Sequence, residues 1–184
     1  MAVRSEMTVD DLPGELILWI LIASELAVFM AGISVMVILG LMDPAGFGSA
    51  QAQLDGRMAA LNTVVLVTSG LFAARAERAA AQGRVQAARR GLLLAALGGV
   101  IFLVVKGVEY ARDIQAGISI DSHPFFTFYY LLSGFHAAHV IAGVAVLLLV
   151  AMRARADAVQ AGAMFWHMVD LVWVLILPAI WLIW

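Results

Sequence analysis

Five long apolar runs, separated by short polar segments, dominate the sequence. They cover residues 16–41, 58–74, 91–110, 124–151 and 163–184. A helix that crosses about 30 Å of hydrocarbon at about 1.5 Å per residue needs about 20 residues, so each run approximates one crossing. Helices are predicted because a segment in lipid must satisfy its backbone polar groups internally. The pattern predicts an all-α integral membrane protein, a bundle of five transmembrane helices.

The polar segments divide the chain into two parts. Residues 1–15 form a polar, acidic leader, and residues 16–184 form one five-helix transmembrane domain. The first run is too long for the apolar core of a cleaved signal peptide, and it contains Glu25. The segment from Asp43 to Gly46 closes the first helix, because proline and glycine interrupt helices. In "DSHP" (121–124), Asp121 or Ser122 is a candidate cap, with Pro124 in the first turn of the fourth helix.

The basic residues predict an orientation. With five crossings, the leader, the arginine-rich segment 75–90 and residues 153–155 lie on one side of the membrane. That side carries eight of the eleven lysines and arginines. The other side carries Arg57, Lys106 and Arg112. Because positive loops stay in the cytoplasm, we predict the N-terminus inside and the C-terminus, at Trp184, outside.

Composition narrows the function classes. The chain is 64% hydrophobic and 13% charged, with a mean hydropathy of +0.98, which exceeds the apolar content of a soluble domain. The net charge of −2 gives no reason to expect a nucleic-acid partner. The chain has no cysteine, which excludes disulfides, thiolate zinc sites and cysteine nucleophiles.

Seven ionisable residues inside the apolar runs are the candidates for chemistry, because such residues are costly in a membrane and are usually paired or functional. Glu25 lies about 14 Å into the first helix, near the midplane, as do the two histidines of the fourth helix. Glu25 could therefore pair with one of those rings. The other candidates form two pairs, each three residues apart on one helix face. The seven are Glu25, Lys106, Glu109, His136, His139, His167 and Asp170.

Several roles for these residues remain open. His136 and His139 lie on one helix and cannot ligate one haem iron together, but either could do so with His167, as in a b-haem membrane cytochrome. Hydrogen bonding between helices, contact with lipid headgroups and proton exchange are the other possibilities. A proton or ion transporter that uses Glu25 is a further alternative. The sequence has no metal-ligand spacing and no nucleophile elbow, so we predict no catalytic residue and no metal ligand.

Several stretches together resemble subunit III of the haem–copper oxidases, the cytochrome c oxidase subunit III family. In "FYYLLSGFHAAHVIAG" (128–143), Gly-Phe-His is followed two residues later by His-Val. In "FWHMVDLVWVLILP" (165–178), Trp-His precedes Val-Asp. The other matching stretches are "SELAVFMAG" (24–32), "LNTVVLVTSG" (61–70) and "KGVEY" (106–110).

The resemblance implies an accessory subunit that binds no haem or metal itself and packs beside a catalytic subunit that carries both. It also implies bound phospholipid, support of proton uptake and durability under turnover, and a multi-pass location in the bacterial cytoplasmic (inner) membrane. The family's proton- or lipid-related positions match Glu25, His136 and His139. Its structural positions match Trp166, His167 and Asp170, together with Glu109.

The resemblance also indicates a branch. The long form of the family has seven helices, and this chain begins at what would be the third. Among five-helix members, the chain looks most like the protein that accompanies bacterial nitric oxide reductase in denitrification. We therefore expect a partner that reduces nitric oxide, and the alternative is subunit III of a cytochrome c or quinol terminal oxygen reductase. In either complex this chain is expected to have no catalytic centre of its own.

Overall fold

A computed structural model describes residues 16–184, and the predicted polar leader, residues 1–15, lies outside the described residues. Within residues 16–184 all regular structure is α-helical. The six helices are α1 Leu16–Met42, α2 Pro44–Gln51, α3 Gly56–Ala81, α4 Val85–Gln115, α5 Pro124–Arg153 and α6 Ala156–Trp181. Five of them, all except α2, are long and apolar enough to cross a membrane. The predicted five-helix membrane architecture is confirmed on these grounds.

The arginine-rich segment 75–90 is helical over most of its length, which the apolar pattern does not predict. Helix α3 runs on to Ala81 and α4 begins at Val85, so the connection is only residues 82–84. Alanine, arginine, glutamate and glutamine are strong helix formers, and they continue both helices beyond the apolar core. Gly83 makes the turn with a φ of +70°, a conformation that favours glycine.

Helix α2 is not predicted from the sequence, because eight residues are too few to show a periodic pattern. The Asp43–Gly46 segment does end α1 as predicted, but it also starts α2. Asp43 is the N-cap, and its Oδ1 accepts a hydrogen bond from Gly46 N at 3.0 Å. The buried Phe47 ring packs 5.7 Å from Phe125 and 5.1 Å from Trp184. These contacts hold α2 across one end of the bundle.

The start of α5 is only partly as predicted. Pro124 occupies the first turn. The cap, however, is His123, whose Nδ1 accepts from Phe125 N at 3.1 Å, so the expectation of Asp121 or Ser122 is wrong. Ser122 instead forms a hydrogen bond within the preceding turn, where its Oγ accepts from Ser119 N at 2.9 Å.

Four helices form the body of the bundle, and the first one lies against it. Helix α3 packs on α4 and α6, and α5 also packs on α4 and α6, so these four helices close a ring. Helix α1 contacts α5 and α6 from outside that ring. Only 6% of its most apolar 18-residue window is buried inside the protein, against 33–50% for the other four spans. Most of the surface of α1 is therefore open to lipid or to another protein.

Candidate functional site: polar clusters inside the bundle

Glu25 and His139 join α1 to α5 at about half the depth of the bundle. Glu25 Oε2 lies 3.1 Å from His139 Nε2. This confirms the prediction that Glu25 pairs with one of the two rings of α5. The side chains are 24% and 15% exposed, so the pair lies on an open seam between the two helices.

The seam holds one shared proton. His139 Nδ1 lies 2.9 Å from the Phe135 carbonyl oxygen, which can only accept, so the ring must donate from that nitrogen. The 3.1 Å contact then requires a proton between His139 Nε2 and the carboxyl of Glu25. That proton belongs either to a neutral glutamic acid or to an imidazolium. In either arrangement one proton lies in the contact that joins α1 to α5.

His136, one turn away, lies in a different environment. Its ring is fully buried and stacks on Trp173 at 5.4 Å, with the Phe102 ring edge-on at 5.4 Å. Neither ring nitrogen has a hydrogen-bond partner among the described residues. Hydrogen bonding between helices, one of the roles left open for the two histidines, is therefore found for His139 but not for His136, which aromatic rings enclose.

A second polar cluster, which we call the lysine cluster, consists of Lys106, Glu109, Asp113 and Tyr129. Lys106 Nζ donates to Glu109 Oε1 at 2.9 Å, and both side chains are almost fully buried. The Tyr129 hydroxyl lies 2.7 Å from Glu109 Oε1 and 2.9 Å from Asp113 Oδ2. The hydroxyl has one proton and can donate to only one of these carboxylates at a time.

Aromatic rings surround the ammonium group of the lysine cluster. Lys106 Nζ lies between 4.6 and 5.6 Å from the centroids of four rings, which cation–π attraction makes favourable in a dry site. These rings come from α4, α5 and α6, and they are Tyr110, Tyr129, Trp173 and Trp181. The cluster therefore ties three helices together around one buried cation.

Only part of the lysine cluster is visible in the sequence. The spacing of Lys106 and Glu109 predicts a pair on one helix face, and the structure confirms it. Asp113 follows at the seventh position after Lys106, so the same spacing argument, extended by one turn, puts all three residues on one stripe of α4. Tyr129 could not be added in this way, because no local pattern in α5 shows that it faces that stripe.

Two of the three tryptophans of α6, Trp166 and Trp173, fasten that helix to α3. Trp166 Nε1 donates to Ser69 Oγ at 3.0 Å, and Ser69 Oγ donates in turn to the Ala95 carbonyl on α4 at 2.7 Å. Two turns further along α6, Trp173 Nε1 donates to Thr63 Oγ1 at 3.0 Å. Trp166 therefore links α6 to α3 and, through Ser69, to α4.

His167 and Asp170 face the same point on α3. A Cβ at Gly70 would overlap Asp170 Oδ2 and would lie 3.6 Å from His167 Nδ1, so the absence of a side chain at Gly70 is what admits them. Asp170 Oδ1 has no hydrogen-bond partner among the described residues. The predicted common face of the two residues is confirmed.

The arrangement of the histidines bears on the haem alternative. Both nitrogens of His139 face other protein groups, and the His136 ring is sealed among aromatic rings. Neither ring presents a nitrogen to an open cavity beside His167. Among residues 16–184 no group of three or more histidines, aspartates and glutamates is placed to hold a metal ion.

Comparison with known proteins identifies the family. The family model described as cytochrome c oxidase subunit III matches residues 14–184. A protein of Corynebacterium diphtheriae named cytochrome c oxidase subunit 3 is 32% identical over 84% of this chain and 81% of its own length. A Nocardia farcinica protein, named as a probable cytochrome c oxidase subunit 3, is 30% identical over 86% of this chain and 81% of its own length.

A longer relative matches in part. The Anopheles gambiae protein named cytochrome c oxidase subunit 3 is 31% identical over 61% of this chain, but over only 45% of its own length. The match therefore extends from bacterial proteins of similar size to the longer animal form. Because the family model matches residues 14–184, which are nearly the whole chain, the chain belongs to the cytochrome c oxidase subunit III family.

Proposed function

We propose that the chain is a non-catalytic accessory subunit of a haem–copper respiratory complex. In this proposal the partner subunit carries the haem and metal, and this chain supports assembly, lipid packing and proton supply. Family membership supports the proposal. The observation that carries it is the Glu25–His139 pair on the open seam between α1 and α5.

The seam supports an accessory role for a physical reason. A charged or strongly polar pair at mid-depth is costly when it faces hydrocarbon, and such residues in membranes are usually functional. Glu25 and His139 share one proton and remain partly accessible from outside the bundle. A group of this kind can exchange protons with a neighbour or bind a lipid, and it needs no redox centre of its own.

The partner is proposed to reduce oxygen. The relatives described above are named for cytochrome c oxidase, and this chain spans about four-fifths of the length of the two bacterial ones. A short chain is thus compatible with an oxidase and does not by itself favour the nitric-oxide-reductase branch. That branch remains the second candidate, because the stretches "LNTVVLVTSGLFAAR" (61–75) and "HPFFTFYYLLSGFHAAHV" (123–140) resemble it.

The proposal includes an orientation in the bacterial cytoplasmic membrane. The side that carries the 82–84 turn and the α5–α6 turn holds seven of the ten lysines and arginines of the described residues. The positive-inside rule assigns that side, with the start of α1, to the cytoplasm. Helix α2 and Trp184 then lie on the outer side. A cysteine introduced at Gly48, which has open space around it, should react with an impermeant maleimide in intact cells, and a cysteine at Gly83 should not.

The function is tested by purifying the tagged chain in a gentle detergent and recording an absorption spectrum and a mass spectrum of the eluate. We expect haem absorbance only together with a co-purifying catalytic subunit, and the identity of that subunit decides between oxygen and nitric oxide. A chain that comes alone and carries haem would establish the b-haem cytochrome instead. A chain that comes alone and colourless, and that catalyses proton flux in liposomes sensitive to Glu25→Gln, would establish the transporter.

A further inference from the structure

Three polar groups meet at the Tyr129 hydroxyl oxygen, at the centre of the lysine cluster. Glu109 Oε1 lies 2.7 Å away, Asp113 Oδ2 lies 2.9 Å away and Lys106 Nζ lies 3.3 Å away. A hydrogen bond needs one hydrogen between its two heavy atoms. The hydroxyl supplies one hydrogen and the Lys106 ammonium supplies another, so the three contacts lack one. The missing hydrogen must come from one of the two carboxyl groups.

A carboxylic acid completes the hydrogen bonds of the hydroxyl. If Asp113 carries the proton, it donates to Tyr129, and Tyr129 donates to Glu109. If Glu109 carries the proton, both donations run in the opposite direction. In either arrangement the hydroxyl donates one hydrogen bond and accepts two, one of them from Lys106, which uses its full capacity. The arrangements interconvert when one carboxyl O–H bond breaks and its proton moves to the hydroxyl oxygen, while the hydroxyl proton moves to the other carboxylate.

The second oxygen of Glu109 is an independent indication that the two carboxyl groups are not both ionised. The side chain is 2% exposed, and its Oε2 is buried without a hydrogen-bond partner among the described residues. An ionised carboxylate costs far more to bury than a neutral acid, above all when one of its oxygens has no donor. A proton that Glu109 shares with Asp113 lowers this cost, because the two carboxyl groups then carry one negative charge between them instead of two.

The charges of this region also favour a bound proton. Its three acids and two bases are Asp55, Glu109, Asp113, Lys106 and Arg112. With every group ionised the region would carry one negative charge in excess, and one proton balances it. Asp113 also lies in the last turn of α4, where the helix dipole disfavours a carboxylate.

The other groups that face the two carboxyls add no charge at neutral pH. The tyrosines among them are Tyr110, Tyr129 and Tyr130. Helix α6 contributes the uncharged rings of Trp173 and Trp181, which lie beside the ammonium. The excess of one negative charge is therefore left for a proton to neutralise.

We propose that the lysine cluster binds one exchangeable proton, which Asp113 and Glu109 share through the Tyr129 hydroxyl. Asp113 lines a pocket of about 210 Å³ at the end of the α3–α4 pair. The exposed polar residues of this pocket are Gln53, Asp55 and Arg112. The pocket gives the proton a route to water, and the proton supports the cohesion of the cluster by removing its excess charge. This inference requires only the membrane-spanning bundle and does not depend on the partner proposed above.

The test is infrared spectroscopy of the purified full chain, because a protonated carboxyl group has a C=O stretch that an ionised one lacks. At neutral pH, Asp113→Asn should lose one such band, since it leaves a single carboxylate beside Lys106 and needs no further proton. The band of the unaltered chain should shift in heavy water as the proton exchanges. Asp121→Asn, which removes an exposed acid outside the pocket, is the matched control and should keep the band. A band that persists in Asp113→Asn, or that does not shift in heavy water, would overturn the proposal.

The role of the hydroxyl is tested in the same spectrum. Tyr129→Phe removes the group that links the two carboxyls, so the C=O band should move to a different wavenumber. Tyr130→Phe is the control and should leave the band in place, because its hydroxyl bonds the Ile118 carbonyl. A band at the same wavenumber in Tyr129→Phe would show that the proton is not shared through this residue.

Two variants at the pocket rim give a readout that a purely structural role would not move. The band should disappear as the pH is raised, and its midpoint marks release of the proton. Asp55→Asn removes a negative neighbour but can still cap α3, so release should move to lower pH by about half a pH unit. Arg112→Gln removes a positive neighbour and should move release to higher pH by a similar amount. Midpoints that do not move in opposite directions would refute the assignment of the proton to this site.

Discussion

The seam between α1 and α5 and the lysine cluster use similar chemistry in opposite surroundings. Each pairs a glutamate with a basic side chain at 2.9 to 3.1 Å. At the seam one contact joins two helices, and both side chains remain partly exposed. In the lysine cluster both are almost fully buried, and the tyrosine hydroxyl, a second carboxylate and four aromatic rings complete the surroundings.

The difference in burial suggests different roles: the buried Lys106–Glu109 pair stabilises the fold, and the partly exposed Glu25–His139 pair can exchange its partner. A buried pair that loses one member leaves an uncompensated charge in a low dielectric, so the fold depends on keeping both. A half-open pair that loses its contact can find another polar partner, such as a group of a neighbouring protein, so its loss costs less in stability. We therefore expect the seam to serve function and the lysine cluster to serve cohesion, and four substitutions test this division.

The largest effect is expected from Lys106→Met. The substitution keeps the length of the side chain but leaves Glu109 and Asp113 without their cation, which costs about 3–5 kcal/mol in the free energy of unfolding. We expect a bundle that is poorly folded or that unfolds at a much lower temperature in detergent, as measured by circular dichroism. Lys106→Met combined with Glu109→Gln should recover much of the loss. A single variant as stable as the unaltered chain would show that the cluster is not cohesive.

A smaller effect is expected from Tyr129→Phe. The ring remains beside Lys106, but Asp113 Oδ2 and Glu109 Oε1 lose the hydroxyl that joins them, at a cost of about 1–3 kcal/mol. Thermal unfolding in the same detergent measures the loss. Tyr130→Phe is the matched control on the same helix, since its hydroxyl bonds only the Ile118 carbonyl in a loop. A Tyr129 variant less affected than this control would contradict the central role of the hydroxyl.

The lysine cluster also shows how far the sequence alone can reach. Apolar length predicts the five spans, and spacing predicts that Lys106 faces the same way as Glu109, because both are local properties of one helix. The approach of Tyr129, Trp173 and Trp181 to Lys106 depends on the mutual rotation of α4, α5 and α6. That rotation is set by packing, for example by the Trp166 ring, which lies where a Cβ on Gly99 or Gly143 would be. No single-helix pattern encodes it.

The two histidines of α5 illustrate the same limit. Their positions in the chain give them the same expected role, since both lie at mid-depth and only three residues apart. Three residues correspond to a rotation of about 300°, so the two rings point in directions about 60° apart. This rotation is enough to bring His139 to Glu25 and to leave His136 against Trp173 and Phe102. Depth alone therefore does not distinguish a seam residue from a core residue.

Glu25→Ala should have a moderate effect that appears mainly in the complex. The seam loses one contact, and polar contacts between membrane helices contribute about 0.6 kcal/mol on average, so the isolated chain should unfold at nearly the same temperature. The complex should lose subunits sooner or sustain turnover for a shorter time, while the haem absorbance of the partner is retained. Both are measured on the purified complex before and after prolonged turnover.

The control for the seam is a double-mutant cycle with His139→Ala. If the two residues act through their contact, the double variant should be no worse than either single variant. Fully additive effects on sustained turnover would show that Glu25 and His139 act separately. Loss of haem from the partner in the Glu25 variant would contradict the prediction.

The smallest effect is expected from His136→Phe. Phenylalanine has a planar ring like that of histidine, though a somewhat larger one, and it can keep the stack on Trp173 and the edge contact with Phe102; a swap that keeps the shape of a core side chain usually costs less than about 1.5 kcal/mol. Because neither ring nitrogen of His136 bonds a described residue, the apolar ring also removes two buried polar atoms, which offsets part of that cost. Thermal unfolding of the chain and sustained turnover of the complex should both stay close to those of the unaltered protein.

His139→Phe provides the contrast, since it should leave the unfolding temperature of the chain nearly unchanged and shorten turnover as Glu25→Ala does. If His136→Phe shortened turnover by as much as His139→Phe, the division between an exchangeable seam and a cohesive core would fail at this residue.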